Sequence, residues 1–137
     1  MTAEEIIKKL KKKFGDKILE TELESVESRV LGAVVDAKSI AKICTFLKNE
    51  PDLRFTSLMC LSSVDPAEQD GEHLRIVYHL HSMEHKHKIT LEVAVLKNNP
   101  VVPSVSAVWR TADWHEREAY DLMGIRFTGH PDFRRIL

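Results

Sequence analysis

The stretch HLRIVYHLHSMEHKHKITLEVAVL, residues 73–96, decides the fold. Leu74, Ile76, Tyr78 and Leu80 alternate with Arg75, Val77, His79 and His81, while Ile89, Leu91, Val93 and Val95 alternate with Thr90, Glu92 and Ala94. A period of two belongs to a half-buried strand, whose successive side chains point to opposite faces. The polar run Ser82 to Lys88 joins the two, so they read as an antiparallel hairpin with one apolar face. Such a face needs a cover, which helices elsewhere in the chain must supply.

Those helices are legible upstream. Thr2 and Glu5 have the spacing of a capping box, and Ile6, Ile7, Leu10 and Phe14 recur at helical intervals up to Gly15, giving a helix over about 3–14. The lysines among Lys8 to Lys13 fall on its solvated side. Residues 17–35 carry Ile18, Leu19, Leu23, Val26, Val30, Leu31, Val34 and Val35 without helical period, which predicts two strands with a turn or bulge between them. Asp36 then reads as an N-cap, and Ile40, Ile43, Cys44 and Leu47 trace one apolar face of a second helix before Pro51 stops it. Phe55 to Val64 is a mostly buried strand, closed by the turn-rich Asp65-Pro66 and Asp70-Gly71.

Downstream of the hairpin, Asn98, Asn99, Pro100 and Pro103 break the pattern. Asp113 and Glu116 repeat the capping-box spacing, so a third helix is predicted over about Trp114 to Met123, closed by Gly124. Ile125 to Leu137, with Gly129 and Pro131, is expected to be extended or irregular. The reading is thus one α+β domain over 1–137: a mixed sheet with helices mainly on one face, in the order α-β-β-α-β-β-β, then a charged helix and an extended tail.

Composition excludes more than it identifies. In 137 residues, 43% hydrophobic and 30% charged, a formal net charge of -1 offers no overall field for nucleic acid or anionic lipid. No run approaches the roughly 18 apolar residues that cross a bilayer, and the N-terminus lacks the regions of a secretory signal, so direct membrane insertion is not expected. Cys44 and Cys60 lie in apolar contexts as buried thiols, and two cysteines in separate elements cannot supply the four thiolates of an iron-sulfur centre. The five glycines are isolated, forming no phosphate-binding loop. Seven histidines invite a metal reading, but His79 and His81 fall on a polar strand face and His85 and His87 in the connecting loop, where solvated imidazoles need no ligand.

The cluster Glu116, Arg117, Glu118 and Asp121 could be paired carboxylates for acid–base chemistry. A structural network competes: Asp113–Arg117 and Arg117–Asp121 are both i,i+4 pairs, and Arg134 and Arg135 follow.

The segment WHEREAYDLMGIRFTGHPDFRRIL, residues 114–137, resembles the signature of the respiratory-chain NADH dehydrogenase 30 kDa subunit family. That pattern runs ERE, two residues, D, two residues, GI, then F, one residue, GHPD and RRIL. The upstream Val77–Met83, the basic loop and Pro100-Val-Val-Pro-Ser-Val are similar to the family as well. Phe133 replaces the family's usual Leu, and Met123 stands where respiratory members often carry Phe or Tyr, a lean toward the hydrogenase-like branch. Members normally continue beyond the RRIL segment, which implies either a piece of a longer chain or a short variant.

The resemblance implies a peripheral-arm subunit without its own cofactor, on the cytoplasmic side of the cell membrane. NAD, FMN, iron-sulfur clusters and quinone would belong to partner subunits, with the large quinone-site subunit as neighbour. It leaves open the equivalent subunit of an energy-converting hydrogenase or of an F420H2- or ferredoxin-dependent dehydrogenase; a stand-alone acid–base enzyme using Glu116, Glu118 or His130 is the reading from another class. Residues 111–137 then form a docking segment, with Trp114, Glu116, Arg117, Glu118, Asp121, Gly124, Phe127, Gly129, His130, Pro131, Asp132, Arg134 and Arg135 in structural or docking roles. Phe127 to Leu137 is expected to order only against a partner, or against a second copy in a homodimer.

Overall fold

The computed structural model describes residues 3–24, 31–65 and 71–130, with side chains within 4–19, 32–65 and 71–130. The elements run α1 (Ala3–Phe14), β1 (Ile18–Glu24), β2 (Leu31–Val35), α2 (Ile40–Asn49), β3 (Ser57–Val64), β4 (His73–Ser82), β5 (His87–Leu96), β6 (Val101–Pro103), α3 (Thr111–Met123) and β7 (Arg126–Thr128). Five strands form one sheet in the order β1-β2-β5-β4-β3. All its pairings are antiparallel except β2 with β5. This is the expected α+β arrangement with a mixed sheet.

The hairpin sits at the centre, registered from His73↔Leu96 to Ser82↔His87. Leu74, Ile76, Tyr78, Leu80, Ile89, Leu91, Val93 and Val95 are all buried in the single core. That core also takes Ile6, Ile7 and Leu10 from α1, the predicted stripe Ile40, Ile43, Cys44 and Leu47 from α2, and Ala112 and Ala119 from α3. Glu4 and Glu5 in the first turn of α1 and Lys11 to Lys13 in its last complement the helix dipole.

Several expectations need correction. The strands continue through Ser82 and resume at His87, so the connection is tighter than Ser82 to Lys88, and His87 is a buried strand residue rather than a solvated loop imidazole. Asp36 places no side-chain oxygen on a helical N–H: its carboxylate accepts from the Ser39 hydroxyl at 3.1 Å, and a 3-10 turn over Ala37–Ser39 leads into α2. Cys44 is fully buried, but Cys60 is only half-buried. Thr2 of the first capping box, and Val26 and Val30, lie outside the described residues.

The largest correction is at the C-terminal side. Residues 126–128 form β7, parallel to β6, with the register Val101↔Arg126 to Pro103↔Thr128. Ile125 and Phe127 alternate with Arg126 and Thr128, and both apolar side chains are buried. Phe127 therefore belongs to the domain's own core and does not await a partner. Pro131 to Leu137 lie outside the described residues, as does any homodimer contact through them.

Gly32 is required by the parallel pairing. It faces Thr90 across the ladder, and a Cβ at this position would run into the Thr90 carbonyl oxygen. Gly32→Ala must push β2 from β5 and is expected to destabilise the fold by about 1–3 kcal/mol, the range for overpacking. Urea unfolding checks this: a lowered midpoint at unchanged slope is expected, and an unchanged midpoint would show that the pairing is looser than described.

Candidate functional site

The residues of the signature meet where α3, the chain before it and the chain after it converge. Lys48 of α2 donates to the Val108 carbonyl at 2.6 Å, and the Trp109 indole N–H donates to the Phe55 carbonyl at 2.8 Å, which fixes the approach to the helix. The helix starts at Thr111, earlier than expected, with Arg110 as its uncapped leading residue. Asp113 and Glu116 do not form a capping box; both turn to other partners. At the far end Gly124 adopts φ 72 and its N–H donates to the Tyr120 carbonyl at 2.9 Å, the left-handed cap expected of glycine.

Glu116 is 0% exposed. Its carboxylate accepts from the Ser104 hydroxyl at 2.5 Å and from the Val105 N–H at 2.8 Å, while Ser104 also meets Ser106 at 2.8 Å. Burial pushes the Glu116 carboxyl up to about 7, against those two hydrogen bonds, which lower it; the Asp113 charge adds a smaller upward push. A buried carboxylate with two donors among the described residues is under-compensated, so this group shares its proton near neutral pH.

Around it lies a charged cluster. The His130 side chain is 1% exposed; its Nε2 is 2.7 Å from Asp113 Oδ1, 3.9 Å from Glu116 Oε1 and 3.3 Å from the Asp113 carbonyl. Arg117 Nε lies 3.1 Å from Asp113 Oδ1, realising the first of the two predicted i,i+4 pairs. Arg117 Nε meets Asp113 Oδ1 off the hydrogen-bond angle, as an ion pair. Gly129, at φ 81, makes the turn that brings His130 back to α3.

The structure thus gathers Glu116, Arg117 and His130 around Asp113 and leaves Trp114, Glu118 and Asp121 on the exposed side of α3. Trp114 is 68% exposed and Leu122 72%. Spaced by four through Glu118, they form one outward stripe, with Tyr120 partly exposed beside it. Leu122 was missed by the sequence reading although its i+8 relation to Trp114 signals the stripe. Ser104 and the Val105 N–H were also missed, because nothing local links them to Glu116. Pro131, Asp132, Arg134 and Arg135 lie outside the described residues. Among the described residues no three of His, Cys, Asp and Glu converge as a metal-ligand group.

Because the folded carboxyl of Glu116 titrates near 7 against 4.5 in the unfolded chain, the folded state holds the extra proton between these values. This contribution is full below pH 4.5 and is lost as pH rises through about 7, amounting to about 3 kcal/mol. Glu116→Gln can donate to Ser104 and accept from Val105, so it should remove that decline and stay within about 1 kcal/mol of the parent at pH 5. Glu116→Ala strands the Val105 N–H and opens a cavity, and should lose about 2–4 kcal/mol. Urea unfolding from pH 4.5 to 7.5 reads both; an unchanged slope in Glu116→Gln would show that Glu116 is ionised throughout.

Residues 33–137 match the family model described as "Respiratory-chain NADH dehydrogenase, 30 Kd subunit". Among curated relatives, the NADH-quinone oxidoreductase C subunit of Chloroherpeton thalassium is 43% identical over 93% of this chain and 52% of its own length. That of Chlorobium phaeobacteroides is 40% identical over 93% of this chain and 75% of its own length. The chain therefore spans about half the length of the first of these relatives and three quarters of the second. Of solved structures, a trypsin-resistant fragment (1-134) of Nqo5 superposes with a TM-score of 0.79 at 24% identity, over 96% of this chain and 99% of that one. A chain of a membrane-bound sulfane sulfur reductase, an archaeal respiratory membrane complex, gives 0.75 at 22%, over 96% and 74%. At such identities these two likenesses show the fold. With its signature helix anchored from within by Glu116 and its family pattern matched over residues 33–137, the chain belongs to the respiratory-chain NADH dehydrogenase 30 Kd subunit family.

Proposed function

We propose that this chain is a cofactor-free, peripheral-arm subunit of a quinone-reducing respiratory complex of the NADH:quinone oxidoreductase type, held on the cytoplasmic side of the membrane. It docks on the large quinone-site subunit through the outer face of α3 and the segment that follows it, supporting electron transfer coupled to proton translocation. NAD, FMN, iron-sulfur clusters and quinone are carried by companion subunits. The curated relatives are named as C subunits of NADH-quinone oxidoreductases, which supports the assignment to such a complex.

One observation carries the docking reading: the signature helix buries Glu116 and clamps His130, yet presents Trp114 and Leu122 to solvent. A large exposed indole in line with an exposed leucine, flanked by Glu118, Arg117 and Asp121, has the composition of an interface centre with a polar rim. An acid–base enzyme is disfavoured by the same geometry, since Glu116 and the His130 ring are closed to solvent and hence to substrate, which leaves Glu118 alone on the surface without them.

Trp114→Ala with Leu122→Ser should leave the unfolding midpoint of the chain nearly unchanged, as exposed substitutions do. The pair should weaken incorporation into the complex by at least about tenfold, the effect of losing roughly 1.4 kcal/mol at an interface. Quantifying the subunit in purified complexes, beside quinone reduction per assembled complex, checks this. Normal incorporation would place the interface elsewhere, and normal incorporation with abolished turnover would favour a direct role in catalysis.

A further inference from the structure

Two imidazoles sit side by side at the tip of the β4–β5 hairpin. His85 Nε2 is 2.8 Å from the Pro51 carbonyl oxygen and His87 Nε2 is 2.8 Å from that of Leu53, so the tip is tied to the segment between α2 and β3. A carbonyl oxygen only accepts, hence both rings carry a proton on Nε2 and, when neutral, a bare Nδ1. For His87 that Nδ1 is buried without a hydrogen-bond partner among the described residues. The two rings stack at 5.6 Å, and the His87 ring lies 4.7 Å from that of Phe55. On each side of this contact a non-glycine residue is held in the left-handed region, Arg54 at φ 47 and Lys86 at φ 55. Such conformations persist where surrounding contacts enforce them, and they gather at switch points.

We propose that His85 and His87 form a protonation-operated latch, which holds the hairpin tip to the Pro51–Phe55 segment while His87 is neutral and releases it when His87 takes up a second proton. The new N–H at Nδ1 would be buried without an acceptor, and the ring would become a cation stacked on His85. Burial is the largest influence lowering the His87 titration; the bond to Leu53 works the other way, and the His85 and His81 charges add to burial against the cation. The nearby carboxylates are engaged elsewhere, Glu84 with Arg54 at 3.7 Å across the same junction, and Glu50 and Asp52 with Lys9 of α1 at 3.3 and 3.1 Å.

The sign follows from a lowered histidine. The unfolded chain binds the proton from about pH 6.5 downward and the latched chain does not, so the latch is intact above that pH and is lost as pH falls through the lowered folded value. Release propagates to Trp109, whose indole N–H rests on the Phe55 carbonyl at the entrance to α3. This inference does not rest on the docking assignment.

Nitrogen-15 spectra of the 137-residue chain between pH 8 and 5 test it. At pH 7 His87 should be the Nε2–H tautomer. On acidification the Trp109 indole signal should shift with the midpoint of His87. Exchange of the Phe55 amide, corrected for its intrinsic rate, should accelerate about tenfold per pH unit through the window. His87→Gln keeps a donor for Leu53 and cannot titrate, so the Trp109 signal should become insensitive to pH there. An Nδ1–H tautomer, a His87 titration that leaves Trp109 and Phe55 unmoved, or an undiminished response in His87→Gln would each overturn the latch. Should His87→Gln fail to fold, the tautomer and the shared midpoint in the parent chain decide the matter alone.

Discussion

The two-residue period of the β4–β5 ladder is the constraint on which the rest of the molecule depends. With the register running from His73↔Leu96 to Ser82↔His87, every second side chain is committed to the core, and a slip of one position would turn the whole apolar set to solvent. β2 can join β5 in parallel only because Gly32 lets the backbones approach. β3 completes the other edge and is the strand against which α3 packs. The signature helix is thus seated on a frame laid down by the hairpin.

How α3 is held follows from a polar rather than an apolar choice. Ala112 and Ala119 contribute little area, so the helix is located by the Glu116 carboxylate reaching Ser104 and Val105 and by His130 closing on Asp113. Buried polar contacts of this kind are poor sources of net stability, because desolvation offsets their attraction. They do favour one orientation over its neighbours. That division suits the docking proposed for this helix: the inner face is pinned by directional contacts, while Trp114 and Leu122 stay on the outside.

The two strongly placed titrating groups act in opposite directions. Glu116 gains stability from holding a proton and His87 from refusing one, one at the base of α3 and the other at the hairpin tip. The Glu116 window runs from 4.5 to about 7 and the His87 window opens downward from 6.5, so the two overlap, global stability is a blunt probe of either, and local readouts separate them. Trp109, bonded to Phe55 on the latch side and leading into α3 on the other, is the side chain common to both regions.

Much of this was legible in the amino-acid sequence. Periodicity revealed α1, the apolar stripe of α2, the central hairpin and the left-handed end of α3 at Gly124, because each is set by residues within a few positions of one another. The signature from Trp114 onward was legible as a pattern, and it identified the family. What tertiary structure alone decided are the contacts between distant parts of the chain. Glu116 and Asp113 had the spacing of a cap, yet the approach of residues 104–106 gave Glu116 better partners and the return of the chain at Gly129 gave Asp113 a histidine. Phe127 read as part of a docking tail, although its alternation with Ile125 was available, since only the proximity of Val101–Pro103 supplies the strand it pairs with. His87 read as solvated because polarity was counted along the chain. Its burial comes from Leu53 and Phe55, more than thirty residues away in sequence, and no local period records which carbonyl will lie across from an imidazole.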